Sequence, residues 1–410
     1  MTETLVDQVE ISHAEDAARR ERFPRGAAVR FEDLEQAGRE HVIDDLREHE
    51  PVSWVPALGG WLVTSREAAR QALHPRTSTT VEAEQNLVRA SLGTMMLTVD
   101  GAEHARMRTA LDAPFRVKEV EERFGAPIRS LVDELIDDLR KRPEAEPELG
   151  KAFAAPFAVR MAGQALGLSL EDVPLIDGFY ADFAAAMVYD GNPEPVLRAE
   201  AARAELNRLL LDELARCRRT PDRSLTSALA ADSRGLTDDE IVAQLRVVMF
   251  GAIETIQASV MNTVLLLLTH PDQLDLVRAD PGLLDGAVAE AIRVVPPVAF
   301  IERWTREAVR IGEVDLPAAE FVGVSVVGAN RDPATFPQPE LFDCRRANAA
   351  RALSFSFGIH ACLGLHLARL QTVLAVGGLL DRLPGLTLVS HEPPSGFAFR
   401  RPATVRLAWQ

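Results

Sequence analysis

Cys362 is the residue in this chain best placed to do chemistry. It stands in Phe355-Ser-Phe-Gly358-Ile-His360-Ala-Cys362-Leu-Gly364, between two glycines, and an apolar helical run (Leu363, Leu367, Ala368, Leu370, Val373, Leu374) begins directly after it. A thiolate there faces the positive end of the following helix and several free backbone N–H groups, an arrangement expected to lower a thiol pKa and hold the anion. Such a thiolate is a good axial ligand for an iron porphyrin. Gly358 and Gly364 permit the turns and close approach that a bulky planar cofactor demands. Phe355 is placed to pack on the ring, and His360 to reach an acidic substituent at its edge. The other cysteines, Cys217 and Cys344, are too scattered to suggest a disulfide framework or a zinc site.

Three further constellations carry charge to unusual places. Gly251-Ala252-Ile-Glu254-Thr255 sets a carboxylate and a hydroxyl inside an otherwise apolar helix (Val247, Val248, Met249, Phe250, Ile256, Val260). Burying an acid there is costly unless it is hydrogen-bonded or used; the plainer reading is a polar pair bonded to carbonyls four residues back. His104 and Arg108 are four apart and share one helical face, well placed to hold two neighbouring carboxylates. Glu290 and Arg293, three apart, set an acid beside a base on another helix.

Each of these groups needs an element to carry it. Thr237-Asp-Asp-Glu240 is a capping box at the head of a helix, and no proline interrupts the chain until His270-Pro271. That helix is about 50 Å long at 1.5 Å per residue, a central strut with Glu254 near its middle. Asp100-Gly-Ala-Glu-His104 opens another helix with acids in its first turn. Val117 to Ala230 alternates apolar stripes with charged faces and reads as several helices, broken at Pro143-Glu-Ala-Glu-Pro147 and Asp190-Gly-Asn-Pro193. Phe179, Phe183, Met187 and Val188 line one helical face in that region. Val52-Ser-Trp54-Val and Trp61-Leu-Val-Thr64, joined by Leu58-Gly59-Gly60, read as a β-hairpin. Val309 to Pro317 and Phe321 to Val327 supply the strands of a small sheet, Thr404 to Trp409 a last strand, and Gly396-Phe397-Ala-Phe399 a hairpin tip reaching a pocket. Ser78 to Leu97 has no convincing period. It reads either as a long loop lending Leu87, Leu92, Met95, Met96 and Leu97 to a pocket, or as a surface loop with a few apolar staples. The expected architecture is mainly α, one domain over residues 1–410, with β-rich parts near 50–66, 305–330 and 386–409.

Composition narrows the function. With 47% hydrophobic and 26% charged residues, 410 residues make an ordinary globular protein with a substantial core. The formal charge of −16 argues against general binding to nucleic acid. Residues 1 to 25 are polar, without the apolar core of a signal peptide or membrane anchor. They read as an arm settling on a larger body, and a soluble, cytoplasmic protein is expected.

The spacing Phe355-x-x-Gly358-x-His360-x-Cys362-x-Gly364 resembles the haem-binding loop of the cytochrome P450 superfamily, with Ser356 where many bacterial members carry glycine. Gly251-Ala252-x-Glu254-Thr255 is similar to the family's oxygen-activating signature, with Ala252 in the usual glycine position. Glu290-x-x-Arg293 resembles its Glu-x-x-Arg pair. A later arginine completes that cluster in the family; Arg346 is the matching position and Arg345 the neighbouring alternative. Ala329-Asn-Arg-Asp-Pro333 and Phe336-Pro-Gln-Pro resemble the meander before its cysteine loop.

The resemblance implies a cytochrome P450 fold, with the long central helix over a haem b. Cys362 would bind the iron, with Phe355, Gly358, His360, Gly364 and Ala252 around the cofactor and His104, Arg108 and Arg303 on its propionates. Glu254 and Thr255 would relay protons to bound dioxygen, and helices near Phe179 to Val188 would form a lid. The reaction implied is insertion of one atom of O2 into a lipophilic small molecule. The pocket candidates Met95, Met96, Leu97, Val248, Ala252, Val298, Phe300 and Phe397 are mainly apolar. No second domain follows Gln410 and no flavin-type nucleotide fingerprint is seen. A monomer fed by a separate ferredoxin and its reductase is therefore expected, docking near Cys362 where His366, Arg369 and Arg116 add positive charge. Two other readings stay open: a peroxide-driven peroxygenase on the same fold, and a catalytically silent haem protein recruiting another enzyme in a biosynthetic assembly.

Overall fold

The computed structural model describes residues 12–141, 146–186 and 194–410. Its axis is the helix Asp238–Thr269, 32 residues, about 48 Å at 1.5 Å per residue. The capping box forms as expected: Glu240 N–H donates to the Thr237 hydroxyl, and Thr237 N–H donates to Glu240 Oε2 at 2.8 Å. Beyond the first turn most residues are buried on every side of the helix, so the run shows no continuous polar face. By length and composition this helix is apolar enough to cross a membrane, but 67% of its most apolar window is buried inside the protein, as in a core helix.

The helix Val117–Lys141 packs against Leu365–Arg382, the helix that follows Cys362. The approach is close because Gly378 has no side chain; a Cβ there would stand 2.5 Å from Val132 Cγ1. Ala155–Leu166 and Leu284–Val294 pack along the central helix. Val173–Ala185 packs chiefly on Glu194–Arg219 and buries the expected Phe179 and Phe183. Met187, Val188, the Asp190–Pro193 break and residues 143–145 of the earlier break lie outside the described residues.

A five-stranded sheet runs in the order Val52–Val55, Gly60–Val63, Phe321–Ser325, Phe300–Thr305, Thr79–Thr80. The expected hairpin sets Trp54 opposite Trp61 and turns at Gly59, whose φ is 61°. Three expectations are corrected. The sheet takes in Phe300–Thr305, ahead of the expected boundary at 305, because that strand pairs along the whole of Phe321–Ser325. Val309–Ile311 and Val314–Leu316 pair with each other around Gly312 (φ 57°) as a separate hairpin. Ser78–Leu97 is not a structureless loop: Thr79–Thr80 joins the sheet, and Leu87–Leu92 is a helix whose Asn86 cap accepts from Arg89 N–H. Two strand residues and one short helix are too brief to display a period.

The last strands, Thr387–His391 and Val405–Ala408, pair antiparallel. The hairpin tip forms over a bridge between Ser395 and Arg401, with Gly396 at φ 108°. The described part of the N-terminal arm is the helix His13–Arg22, started by a Ser12–Glu15 capping box. It docks through Arg19, whose guanidinium lies 4.5 Å from the Trp54 ring centroid and 2.5 Å from Glu320. The molecule is thus mainly α with small β-rich parts, built around one long helix.

Candidate active site

Backbone geometry shapes the cysteine loop. Cys362 N–H donates to Phe355 O at 2.8 Å, closing the loop on itself. Ser356 and Gly358 both take left-handed conformations, φ 62° and 78°. A Cβ on Gly358 would also stand 2.4 Å from Leu73 O, so glycine is required there. Gly364 differs from expectation: its φ is −81°, which any residue adopts, and a Cβ would clear its neighbours, the nearest atom being Cys362 Sγ at 3.9 Å.

Cys362 lies deep in the protein, yet its side chain keeps open surface. Gly251 is likewise exposed midway along the buried central helix, where a Cβ would meet nothing within 4 Å. Each position is open within otherwise buried surroundings. The expected drop in the thiol pKa is not seen here: burial pushes the Cys362 thiol up, against the opposing pull of Gly364 N–H and the Arg108 charge. A ligand that takes the thiolate would supply the missing stabilisation.

Basic groups gather beside this loop. His360 Nε2–H donates to Asp100 Oδ1 at 2.7 Å, and the His104 and His360 rings meet edge-on at 4.5 Å. Arg108 Nη1 donates to Ala361 O at 2.8 Å. Arg303, 7% exposed, donates to the backbone carbonyl of Glu302 at 2.7 Å, and the described residues give it no carboxylate partner. Burial, reinforced by His360 and Arg108, pushes His104 down to about 4. Burial also lowers His360, against the pull of Asp100, and brings Arg303 down to about 10. Sequence reasoning missed the hub of this group. Asp100 stands at the N-cap of its helix, but its side chain makes no capping bond; despite its burial, hydrogen bonds from His360 and Thr80 (2.6 Å) hold its carboxyl well below the usual range, and Arg306 pairs with it at 2.9 Å.

On the central helix Thr255 Oγ1 donates to Gly251 O at 2.5 Å, the i−4 bond of the plainer reading. Glu254 does not share it. Its Oε1 accepts from Arg401 Nε at 2.6 Å and its Oε2 from the Tyr180 hydroxyl at 3.2 Å. Neither partner was anticipated. Val248 and Ala252 are half-buried on this helix. Met95 and Met96 are buried, with Met96 N–H donating to Gln244 Oε1 at 3.0 Å, whereas Leu97 is exposed. Phe300 and Phe397 meet each other at 4.4 Å and pack with Phe31 and Phe321. The ring of the tip that approaches the central helix is Phe399, 6.1 Å from Phe250 and bridged to Val298.

Elsewhere, Glu290 accepts from Arg293 (two bonds at 2.7 Å) and from Arg346 (2.7 Å); Arg345 takes no part in that cluster. Arg369, an expected docking cation, is paired with Asp285, while Arg116 and His366 are exposed. Glu213, Cys217 and Asp222 bring three ligand-type atoms within 4.8 Å, but Arg216 bonds to all three and supplies the positive charge itself.

The chain and its fold have clear counterparts. The cytochrome P450 family profile matches residues 197–384. The chain is 32% identical to cytochrome P450 107B1 of Saccharopolyspora erythraea over 381 residues, covering 88% of this chain and 91% of that one. It is 34% identical to vitamin D(3) 25-hydroxylase of Pseudonocardia autotrophica, covering 84% and 86%. Among solved structures, CalO2 superposes with a TM-score of 0.81 at 29% identity over 91% of this chain and 96% of that one. A P450BioI structure, solved with a fatty-acyl-loaded acyl carrier protein, gives 0.84 at 26% identity, covering 91% and 98%. The chain belongs to the cytochrome P450 superfamily of haem-thiolate oxidoreductases.

Proposed function

We propose that this chain is a haem b monooxygenase that inserts one atom of O2 into a lipophilic small molecule, in the cytoplasm, with electrons from a separate ferredoxin and its reductase. The observation that carries the reading is the unbalanced basic group beside an accessible, deeply placed thiol. Arg303 is buried with no acid bonded to it among the described residues, and His104 and Arg108, the latter also reaching Asp112 at 3.3 Å, stand with it around the loop that holds Cys362. Haem propionates are the anions that would complete this set, and Cys362 would hold the iron through its sulfur. Bound haem supplies the oxygen-activating redox chemistry, which a thiolate ligand favours by donating electron density. Phe355 and Gly358 shape the seat of the ring, and His360, fixed by Asp100, keeps the Cys362 loop against the helix Gly101–Asp112.

The remaining roles belong to the protein. Glu254 and Thr255 hold and pass protons from the middle of the central helix. Met95, Met96, Val248, Ala252, Val298, Phe300 and Phe397, joined by Phe399, give the substrate apolar walls. Relatives named for vitamin D(3), 6-deoxyerythronolide B and C-19 steroids favour a lipophilic substrate. The test is spectroscopic: the reduced, carbon monoxide-treated protein should show the Soret band of trans-thiolate ligation, and Cys362→Ser should lose it. A wild-type spectrum without that band refutes the proposal. Product formed with ferredoxin, reductase and NAD(P)H, and not with peroxide alone, checks the electron source.

A further inference from the structure

Arg39, at the head of the helix Glu40–His49, and Arg400, just past the hairpin tip, are both buried with much of their hydrogen-bonding capacity unused. Arg39, 5% exposed, gives Nη1 to the carbonyls of Leu34 (2.5 Å) and Phe397 (3.1 Å); its Nε and Nη2 have no partner among the described residues. Arg400, 3% exposed, pairs with Glu40 and reaches Pro394 O at 3.5 Å, which leaves its Nε and Nη1 without partners among the described residues. Arg39 lines a cavity of about 10 Å³ together with Phe300, Ser325, Val327 and Phe397. Ser325 Oγ accepts from Gly328 N–H at 3.1 Å and gives its own hydrogen to no partner among the described residues. Two kinds of donor, a guanidinium and a hydroxyl, therefore border one small space.

The charges around this space do not balance. The two guanidinium groups have one carboxylate beside them, Glu40, and it is bonded to Arg400. Burial, reinforced by the charge of Arg400, brings the Arg39 pKa down to about 9 against the pull of Glu40, so Arg39 is still a cation at neutral pH. An unpaired buried cation is costly, and water would satisfy its hydrogens without neutralising its charge. We propose that the cavity at Arg39 is a binding site for one small monatomic anion, of the charge and size of chloride, held by the Arg39 guanidinium and the Ser325 hydroxyl. A cavity of this volume has room for about one water-sized group, too little for a sulfate or an organic acid. The rest of the lining is apolar, Leu34, Leu62 and Phe300 among it, which keeps solvent from screening the pair. Because Arg39 also bonds the Phe397 carbonyl, the anion fastens the hairpin tip to the helix Glu40–His49. The site stands whether or not the haem reading does.

Chemical denaturation of the holoenzyme in sodium chloride and in sodium gluconate at matched ionic strength separates site binding from screening, because gluconate is too large to enter. Chloride should raise the folding constant about tenfold over gluconate, with a saturable dependence on concentration. Arg39→Met removes the charge and keeps an apolar chain, and its folding constant should be the same in both salts. Crystals grown in sodium bromide should give an anomalous peak in the cavity beside Arg39. Equal wild-type stability in the two salts, a chloride response that survives in Arg39→Met, or a water where the bromide should be overturns the proposal. So does a bromide peak without any chloride response, which is binding at crystal concentration only. Should Arg39→Met not fold, Ser325→Ala takes its place: its chloride response should be several times weaker, and an undiminished response overturns the site.

Discussion

Two groups of buried charge in this protein are built on opposite plans. Around Glu290 every valence is met from within: Arg293 and Arg346 donate to its two oxygens, and the remaining hydrogens of Arg293 go to the carbonyls of Asn330, Pro339 and Leu341. Around His360 the plan is open. His360 bonds to Asp100, Arg108 reaches Asp112 at 3.3 Å near the surface, and among the described residues the buried Arg303 bonds only to a backbone carbonyl. The closed cluster is complete without any other molecule, whereas the proposed haem would bring to the open one the anions that Arg303 lacks.

The sharpest way to test this contrast is to break the closed cluster. Arg293→Ala leaves Glu290 buried with one charged partner, Arg346, and a long bond from Asp343 N–H, and removing one member of a buried ion pair costs about 3–5 kcal/mol. Chemical denaturation should show that loss equally with and without cofactor. A loss that disappeared on cofactor removal would mean that this network also serves the haem.

The open region should respond to pH instead. Burial pushes Glu302 up to about 7 from its usual 4.5, against the attraction of Arg303. A carboxyl raised in the folded state contributes stability that is full below 4.5 and is lost as pH rises through about 7. Glu302→Gln stays neutral throughout. At pH 8 it should be more stable than wild type by about 2–3 kcal/mol, with the gap closing by pH 4. Parallel denaturation curves at both pH values check the sign, and a constant gap defeats it.

Arg303→Met sharpens the contrast at lower cost. It replaces a buried, acid-less guanidinium with an apolar chain of similar length, so the cofactor-free protein should change by no more than about 1 kcal/mol in either direction. Haem retained per chain, read from Soret absorbance after gel filtration, should fall severalfold. Full haem content in this variant would remove Arg303 from the propionate set.

The two clusters also differ in how far the amino-acid order betrays them. Glu290 and Arg293 are three apart on one helix, and the capping box at Thr237 and Glu240 is local in the same way, so chemistry and spacing sufficed. The cysteine loop was legible because its residues are contiguous. Asp100 was not: its place before a helix marks it as a cap, and only the folded chain shows its carboxylate turned toward His360, 260 positions away. Tyr180 and Arg401 lie 74 and 147 positions from Glu254, with no local pattern to announce them. The strand Thr79–Thr80 was hidden for a different reason, since two residues exist as a strand only because Trp304 and Thr305 are there to pair with them.

The smallest effect concerns strain within the cysteine loop itself. Ser356 sits at φ 62°, and its hydroxyl is buried without a partner. A left-handed conformation costs a residue with a side chain roughly 1–2 kcal/mol, and an unmet buried hydroxyl adds to that. Glycine removes both penalties, although the freer unfolded chain takes back part of the gain. Ser356→Gly should therefore stabilise the protein by about 0.5–1 kcal/mol, with the thiolate spectrum unchanged. The closed Glu290 cluster offers no comparable gain, because nothing there is left unsatisfied. A destabilised Ser356→Gly protein would mean that this hydroxyl finds a partner when cofactor is bound, and would move Ser356 from the strained backbone to the set of groups that hold the cofactor.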